Sequence, residues 1–324
     1  MFKKKSLILS VLLLMISVVG LTACSSTEST GAEEEKEEVI ETAAEPKILT
    51  ITHELGEATL ERNPQRVIVF DYATLDSLNQ MDIEVIGLPK SNIPQYLEKY
   101  NDSQYTDVGT LFEPNYEKIY ELQPDLILIS GRQADLYEEF EKIAPTVYLT
   151  IDTQDYLGSF SSNLTTLGEI FEKEDFVQEQ LQVIQQKITE LKQLVVDAEK
   201  KALIIAANDG ALNAFGKGSR FNIIHNEFGF AAADENIEVA NHGQSISFEY
   251  IVEKNPEVIF VIDRAAVTGG TAAAEQVLDN DLVKMTDAYK NDAIHYLSAH
   301  VWYVASGGLE ATNIMIQEVR GAIQ

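Results

Sequence analysis

The chain has 324 residues, with 24 basic and 52 acidic side chains and a net charge of −28 at pH 7. A field of that sign disfavours binding to nucleic acid and electrostatic docking on anionic lipid. The single cysteine, Cys24, excludes an intramolecular disulfide and any zinc site built from several thiolates.

The chain begins with a basic and then apolar segment. Lysines occupy positions 3–5, an apolar stretch covers 7–21, and small residues precede Cys24. This pattern is typical of a secretory signal over residues 1–23, because the apolar stretch is too short for a stable membrane span. It resembles a bacterial lipobox, which implies that Cys24 is lipidated and becomes the mature N-terminus. An ordinary signal peptide with an incidental cysteine is the alternative.

Residues 24–46 are predicted to form a flexible acidic tether. They are rich in Ser, Thr, Ala and Glu, and residues 33–38 are all charged. Such a segment buries too little apolar surface to offset its ordering entropy. An acidic tail that binds a partner is the alternative.

Two stretches of alternating strand and helix patterns follow, and we predict an α/β lobe over 47–172 and another over 201–324. Strands that alternate with helices indicate mostly parallel sheets. A helix is predicted at 74–80. The predicted strands are 48–52, 66–70, 85–88 and 146–149 in the first lobe, and 202–206 and 294–297 in the second, with one more in each lobe from the repeat described below.

Residues 173–200 are predicted to connect the lobes through one long helix. From 175 to 200 there is no Gly or Pro, and the apolar residues recur every three or four positions. This spacing predicts an amphipathic helix about 39 Å long. A coiled-coil partner helix is the alternative, but only about three heptads are present. We therefore expect a fold of two Rossmann-like lobes joined by a stiff connector.

A sixteen-residue stretch occurs twice, at 117–132 (EKIYELQPDLILISGR) and at 249–264 (EYIVEKNPEVIFVIDR), with six identities. Each copy predicts a short helix, a Pro, a buried parallel strand and then an arginine, Arg132 or Arg264. Ligands of open α/β sheets bind beyond the carboxyl ends of the strands. The repeat therefore predicts a cleft between two lobes that closes on an anion. A shared helix–Pro–strand pattern with coincidental arginines is the alternative.

Together these features resemble the helical-backbone class of ABC-transporter substrate-binding lipoproteins, and within it the receptors for catecholate iron–siderophores of the petrobactin and enterobactin type. The resemblance covers the whole mature domain. The segments that carry it are 69–71, 87–90, 130–133, 207–210, 215–216, 218–221, 242–245, 261–264, 302–303 and 307–308.

The resemblance implies the ligand-binding residues. Ferric catecholates are anionic, and the planar, permanently charged guanidinium suits several phenolate oxygens at once. Arg132, Arg220 and Arg264 are expected to line the cleft, with Lys90 as a fourth cation and Gln244 as a further contact. Ordinary surface arginines paired with carboxylates are the alternative for each.

The resemblance also implies that His242 and Tyr303 ligate the iron of the bound complex. A bis-catecholate supplies four oxygens, and Fe(III) prefers six ligands, so an imidazole and a phenolate can complete the set. His242 is expected on a loop before a helix that begins at Ser245. Alternatively, both residues only form hydrogen bonds with a siderophore that already satisfies the metal. The other four histidines are expected to be structural.

Two acidic residues of the repeat, Glu117 and Glu249, are expected at the start of each preceding helix. Stabilisation by the helix dipole is a sufficient structural reason for either. The resemblance implies that they dock on the permease of an importer, which acts with an ATPase.

We find no nucleophile elbow, P-loop, zinc-protease or paired-cysteine motif, so catalysis is not expected. No intrinsic cofactor is expected, and the ligand is an Fe(III)–siderophore complex. We expect a monomer, anchored by lipid on the outer face of the cytoplasmic membrane, either at a Gram-positive-type cell surface or in a periplasm. Haem, a corrinoid or a hydroxamate siderophore is the alternative cargo, and a lipid-anchored hydrolase is a further alternative.

Overall fold

The computed structural model describes residues 47–323. The predicted signal segment, Cys24 and the predicted tether lie outside these residues. Within the described part, no helix is both long and apolar enough to cross a membrane.

The first lobe is built on a parallel sheet. Its strands, with a preceding hairpin, are β1 (Ile48–His53), β2 (Gly56–Glu61), β3 (Val67–Val69), β4 (Gly87–Leu88), β5 (Thr106–Asp107), β6 (Leu126–Ile129) and β7 (Thr146–Tyr148). Strands β1 and β2 pair antiparallel, and the sheet has the order β5-β4-β3-β6-β7 with every pair parallel. Strand β6 has the sequence LILI and is buried at every position, because helices cover both faces of the sheet.

Five α-helices follow the strands of this lobe and lead out of it. They are α1 (Tyr72–Gln80), α2 (Tyr116–Glu121), α3 (Tyr137–Glu141), α4 (Tyr156–Phe171) and α5 (Glu174–Ala198), with 3₁₀ turns at Gln95–Asn101 and Gly131–Leu136.

The second lobe has a mixed sheet. Its strands are β8 (Lys201–Asn208), β9 (Ala211–Phe215), β10 (Ala231–Ala232), β11 (Gln244–Ile246), β12 (Val258–Asp263) and β13 (Ile294–Leu297). The order is β11-β9-β8-β12-β13, with β10 beside β8. Strands β8, β12 and β13 are parallel, whereas β9 is antiparallel to both β8 and β11.

The helices of the second lobe are mostly short. They are α6 (Ile223–Asn226), α7 (Phe248–Lys254), α8 (Arg264–Thr268), α9 (Ala274–Leu278), α10 (Asp287–Lys290) and α11 (Leu309–Gly321), with a 3₁₀ turn at Val283–Met285 and a π-helical turn at His300–Val304. The helix expected at Ser245 is wrong: this residue lies in β11, and α7 begins three residues later, after its cap Ser247. The antiparallel pairing of β11 with β9 replaces the first helical turn that the sequence suggested.

Helix α5 is the predicted connector, and it begins at Glu174 and ends at Ala198. Its buried stripe includes Ile184, Ile188 and Leu191. These side chains belong to one continuous apolar core that also contains Leu128 of the first sheet and Phe260 of the second. The predicted fold of two α/β lobes joined by a long helix is confirmed.

The last helix, α11, contacts both lobes. In the second lobe it packs against the π-helical turn His300–Val304, and Glu318 accepts from Nε1 of Trp302 (2.6 Å).

Helix α11 also packs against α1 and α5. The amide of Leu309 donates to the hydroxyl of Ser77, and Thr312 lies 3.1 Å from the hydroxyl of Tyr156 on α4. The physical reason is its apolar face, which completes the core beside the first sheet. The predicted second lobe over 201–324 stays a prediction, since α11 packs against elements on both sides of the connecting helix.

Asp76 on α1 fixes the start of α11. It is fully buried, and its carboxylate accepts hydrogen bonds from the amides of Ala311 (2.8 Å) and Glu310 (3.3 Å). The hydroxyl of Tyr96 donates to it at 3.4 Å. Burial raises the pKa of Asp76 to about 7, although these amides favour the charged form.

This raised pKa predicts a pH-dependent stability that Asp76→Asn should remove. The folded state binds the proton more tightly than the unfolded state, so the Asp76 contribution to the free energy of unfolding falls as pH rises from about 4 to about 7. As pH rises across this window, the free energy of unfolding of the variant should increase relative to that of the wild type by up to about 1.4 kcal/mol per pH unit. Urea denaturation over the window measures it, with Asp197→Asn at an exposed position as control. If the free energies of unfolding of Asp76→Asn and the wild type differed by the same amount at every pH, the prediction would be contradicted.

Candidate functional site

The two repeated arginines follow the carboxyl ends of equivalent strands. Arg132 comes after β6, in the 3₁₀ turn that begins at Gly131, and Arg264 is the first residue of α8, directly after β12. The side chain of Asp263 caps α8 by accepting from the amide of Ala266. Each arginine therefore lies at the edge of a sheet where ligands of such folds bind.

Tyr303 is the point at which the three predicted arginines meet. It lies in the π-helical turn His300–Val304. Its carbonyl oxygen accepts hydrogen bonds from Nη2 of Arg132 (3.0 Å) and of Arg220 (3.1 Å). The guanidinium carbons of Arg220 and Arg264 lie 4.0 Å and 5.7 Å from the centre of its ring. The ring face attracts the guanidiniums of Arg220 and Arg264, and the carbonyl also binds that of Arg132, so this one residue brings three positive charges together.

These arginines have no ion-pair partner within 4 Å in the part of the chain that the structure describes. The Nε of Arg264 is buried and makes no hydrogen bond there. Burial lowers the pKa of Arg220. Tyr303 opposes this shift, whereas the neighbouring charges of Arg132 and Arg264 add to it. The cluster thus holds positive charge that the surrounding side chains do not neutralise, which favours an anionic ligand.

The cluster borders a cavity of about 520 Å³ between the lobes, a size typical of small-ligand sites. The cavity is lined by residues of both lobes, among them Asp71, Phe112, Arg132, Arg220, His242 and Tyr303. Arg264 contacts the site through the ring of Tyr303. Three or more His, Cys, Asp or Glu side chains do not cluster into a metal site anywhere in residues 47–323.

Besides Arg264, which does not line the cavity itself, two further predicted site residues lie outside its lining. The Nζ of Lys90 donates to the carbonyls of Asn101 (3.3 Å) and Asp102 (2.6 Å). The Oε1 of Gln244 accepts from the amide of Glu238 (2.8 Å). Gln244 thereby closes the loop that carries His242 without lining the cavity itself.

His242 lies on a loop, as predicted, and the loop depends on the following glycine. Gly243 has a φ of +78°, and a side chain there would lie 2.8 Å from the carbonyl of Ala214 and from the ring of Phe215. Only glycine fits this close approach without strain. The loop can therefore carry His242 at the cavity while β11 pairs with β9.

Asp71 lines the cavity and was not predicted as a site residue. It follows β3 and caps α1, accepting from the amide (2.8 Å) and the hydroxyl (2.9 Å) of Thr74. Burial raises its pKa, while Thr74 and the nearby charge of Arg132 oppose the rise. The sequence signal was an Asp three residues before a Thr at the end of a buried strand, which is an ordinary helix cap.

Hydrogen bonds also join the two lobes, and the sequence did not predict them. The Nδ2 of Asn92 donates to the carbonyl of Val267 (2.7 Å), and its Oδ1 accepts from Nε2 of His300 (2.9 Å). In addition, the Nδ2 of Asn222 donates to the carbonyl of Thr153 (2.8 Å). His300, which was expected to be structural, therefore connects the lobes three residues before Tyr303.

The remaining histidines have local partners or lie in the sheet. His53 ends β1 and its Nε2 bonds the carbonyl of Thr146 (3.1 Å), and Nδ1 of the buried His225 bonds the carbonyl of Phe230 (3.0 Å). His295 lies in β13. Burial lowers the pKa of all three imidazoles.

Glu117 and Glu249 are exposed in the first turns of α2 and α7. The caps of these helices are also equivalent, because Asn115 and Ser247 each accept from the amide three residues later. Hydrogen bonds at the helix start lower the pKa of Glu249. Both carboxylates are therefore available on the surface of their lobes.

Comparison with known proteins places this architecture in a family. The profile of the periplasmic binding protein family matches residues 67–301. The chain belongs to this family. The resemblance recognised from the sequence is confirmed at that level, and members named below are binding proteins.

Three members of the family are similar over nearly their whole length. Petrobactin-binding protein YclQ of Bacillus subtilis is 43% identical over 96% of both chains, and its crystal structure covers 86% of this chain and 99% of that one with a TM-score of 0.84. Ferric-anguibactin-binding protein FatB of Vibrio anguillarum is 34% identical over 98% of both chains. The periplasmic catecholate-siderophore binding protein VctP of Vibrio cholerae has a TM-score of 0.81 at 37% identity, covering 85% of this chain and all of that one.

Proposed function

We propose that this chain is the extracytoplasmic substrate-binding component of an ABC importer and captures an anionic ferric bis-catecholate siderophore between its lobes. The observation that carries the proposal is the meeting of Arg132, Arg220 and Arg264 at Tyr303. In a chain with a net charge of −28, this half-buried cationic cluster is a local exception to the negative field of the protein. The repulsion among the three guanidiniums is offset when an anion binds there. The named ligands of YclQ, FatB and VctP support iron–siderophore cargo.

The iron is part of the cargo, and His242 with Tyr303 is proposed to complete its coordination. Both residues line the same cavity. The guanidiniums of Arg220 and Arg264 beside the ring would stabilise the negative charge of a phenolate ligand. The chain would thus supply two ligands to a complex that brings four catecholate oxygens.

Delivery is proposed to use the exposed carboxylates of Glu117 and Glu249, which would pair with cations of the permease that the ATPase drives. Cys24 is proposed to carry the lipid that holds the protein on the outer face of the cytoplasmic membrane. The chain is proposed to bind and release its cargo without catalysing a reaction.

Titration of the purified chain tests the proposed cargo. Trp302 is the single tryptophan and is a fully buried lining residue of the cavity, so its fluorescence reports on the site. Three probes are compared: the ferric complex of a tetradentate bis(2,3-dihydroxybenzoyl) ligand, a ferric hydroxamate, and haem. We expect quenching to saturate at the lowest concentration with the ferric catecholate. Tight binding of haem or of the hydroxamate, without binding of the catecholate, would overturn the proposal.

Direct ligation predicts a spectroscopic change that depends on His242 and Tyr303. The charge-transfer band of the tetradentate ferric complex should shift on binding to the wild type, because two oxygen donors of solvent are replaced by protein ligands. His242→Ala combined with Tyr303→Phe should abolish this shift while keeping the ring beside the arginines. A hexadentate tris-catecholate should depend much less on the two residues. If the double substitution affected both complexes equally, direct ligation would be contradicted, and the two residues would only line the pocket.

A further inference from the structure

Phe112 is an exposed aromatic residue at the edge of the cavity. Its relative exposure is 69%, whereas the other phenylalanines in residues 47–323 are buried or half-buried. It lines the same cavity as Arg132 and Tyr303. A phenyl ring left in water forgoes the free energy of burial, so core packing does not explain this residue.

The loop over 109–114 holds Phe112 in a defined position. The hydroxyl oxygen of Thr110 accepts from the amides of Phe112 (3.2 Å) and Glu113 (2.9 Å), and the amide of Thr110 donates to the carbonyl of Glu113 (3.0 Å). Gly109 has a φ of +108°, and a side chain there would collide with the same carbonyl. The exposed ring therefore belongs to a tight, hydrogen-bonded turn.

The same turn is tied to the segment that carries Arg132. Gln133 is fully buried, and its Nε2 donates to the carbonyl of Leu111 (2.6 Å) while its Oε1 accepts from the amide of Ser130 (3.2 Å). The hydrogen bond between Gln133 and Leu111 therefore links the two segments, because Phe112 follows Leu111 and Arg132 precedes Gln133 in the chain. Their relative position is set before any ligand arrives, which reduces the entropy lost on binding.

We propose that Phe112 is a specificity-determining residue that stacks on an aromatic ring of the ligand while the arginines hold its anionic oxygens. The inference rests on the proposed function and deepens it, because it names a residue that would recognise the aryl groups of the ligand as distinct from its anionic oxygens. Aromatic pairs in offset or edge-to-face contact gain free energy beyond their buried area. A complex built only from hydroxycarboxylates or aliphatic hydroxamates has no aromatic ring and could not make this contact with Phe112.

A contact of Phe112 with the permease is the competing explanation for its exposure. Two observations favour the ligand. The ring lines the cavity, and the buried link through Gln133 couples its position to Arg132, a residue of the cationic cluster. Tyr120, which is 70% exposed, does not line this cavity, and it serves as a matched exposed aromatic on the same lobe.

Affinity measurements on four variants test the proposal, with the ferric complex of the bis(2,3-dihydroxybenzoyl) ligand as probe. Phe112→Ala should weaken binding about fivefold to tenfold. Phe112→Leu keeps an apolar side chain without the π face and should still lose about threefold, whereas Phe112→Tyr should stay within about twofold of the wild type. Tyr120→Ala should leave the affinity unchanged. Because the ring is exposed, all variants should keep the unfolding midpoint of the wild type.

The outcomes separate this inference from the proposed function. If the wild type does not bind the ferric catecholate, the proposed function fails and this assignment fails with it. If the wild type binds and Phe112→Ala binds equally well, only the assignment of Phe112 is overturned. Wild-type affinity in Phe112→Leu would overturn the aromatic contact. Unchanged affinity with lost uptake in cells would assign Phe112 to the permease instead.

Discussion

Arg264→Ala is expected to weaken binding of a ferric catecholate by about 1.5–3 kcal/mol, which is about tenfold to 150-fold. Arg132→Ala should have an effect of the same size. Each substitution would remove one of the positive charges that are proposed to hold the anionic oxygens of the ligand. Isothermal titration calorimetry with the bis(2,3-dihydroxybenzoyl) complex measures the loss.

Both variants should fold like the wild type, and Arg264→Ala should disturb the structure less than Arg132→Ala. The Nε of Arg264 has no hydrogen-bond partner in the described residues, whereas Arg132 donates to the carbonyl of Tyr303. Arg320→Ala is the matched control, because this arginine pairs with Glu190 on α5, away from the cavity. Wild-type affinity in both Arg264→Ala and Arg132→Ala would show that the repeated arginines do not hold the ligand.

Reversing the charges of Glu117 and Glu249 together should reduce iron uptake by cells about tenfold or more, because like charges would then face each other at the permease. Affinity for the siderophore in solution should not change, since neither residue lines the cavity. Uptake of radioactive iron by cells that carry the variant measures the effect, and each single reversal should give a smaller loss.

Asp197→Lys, at an exposed position on α5, changes the charge by the same amount as each single reversal and is the control for those variants. It should leave uptake near the wild-type rate. Full uptake by the double variant would refute the docking role. A loss of affinity in solution would instead assign the two glutamates to ligand binding.

The sequence predicted well those features that depend on the pattern of apolar residues within one short segment. The apolar run of β6 predicts a strand buried on both faces, and the spacing along α5 predicts its start within one residue. The duplicated helix–strand unit predicts two arginines at equivalent strand ends. Arg132 and Arg264 do lie there, because equivalent local sequences fold into equivalent units.

The features that the sequence did not predict depend on contacts between distant segments. Asn92 and His300 are 208 residues apart, and nothing in either neighbourhood indicates that they meet. The packing of α11 on α1 also depends on the relative placement of the lobes. Lys90 follows a Pro at a strand end, a plausible cleft position, but backbone carbonyls of its own lobe hold its ammonium group.

Phe112 shows the same limit for the site itself. A single Phe between Leu111 and Glu113 has no periodicity to distinguish a core residue from an exposed one. Only the turn at Thr110 and the contact of Gln133 with Leu111 reveal that the ring remains in solvent beside the cavity.

X-ray diffraction from a co-crystal, measured at the iron absorption edge, tests most directly whether the cavity at Tyr303 holds the iron of a ferric catecholate. We expect one anomalous peak inside the cavity bounded by Arg132 and Arg220, on the side of Tyr303. A peak elsewhere would contradict this location. The open groove between α4 and α5, about 750 Å³ in volume and lined without any arginine, is the alternative location to inspect.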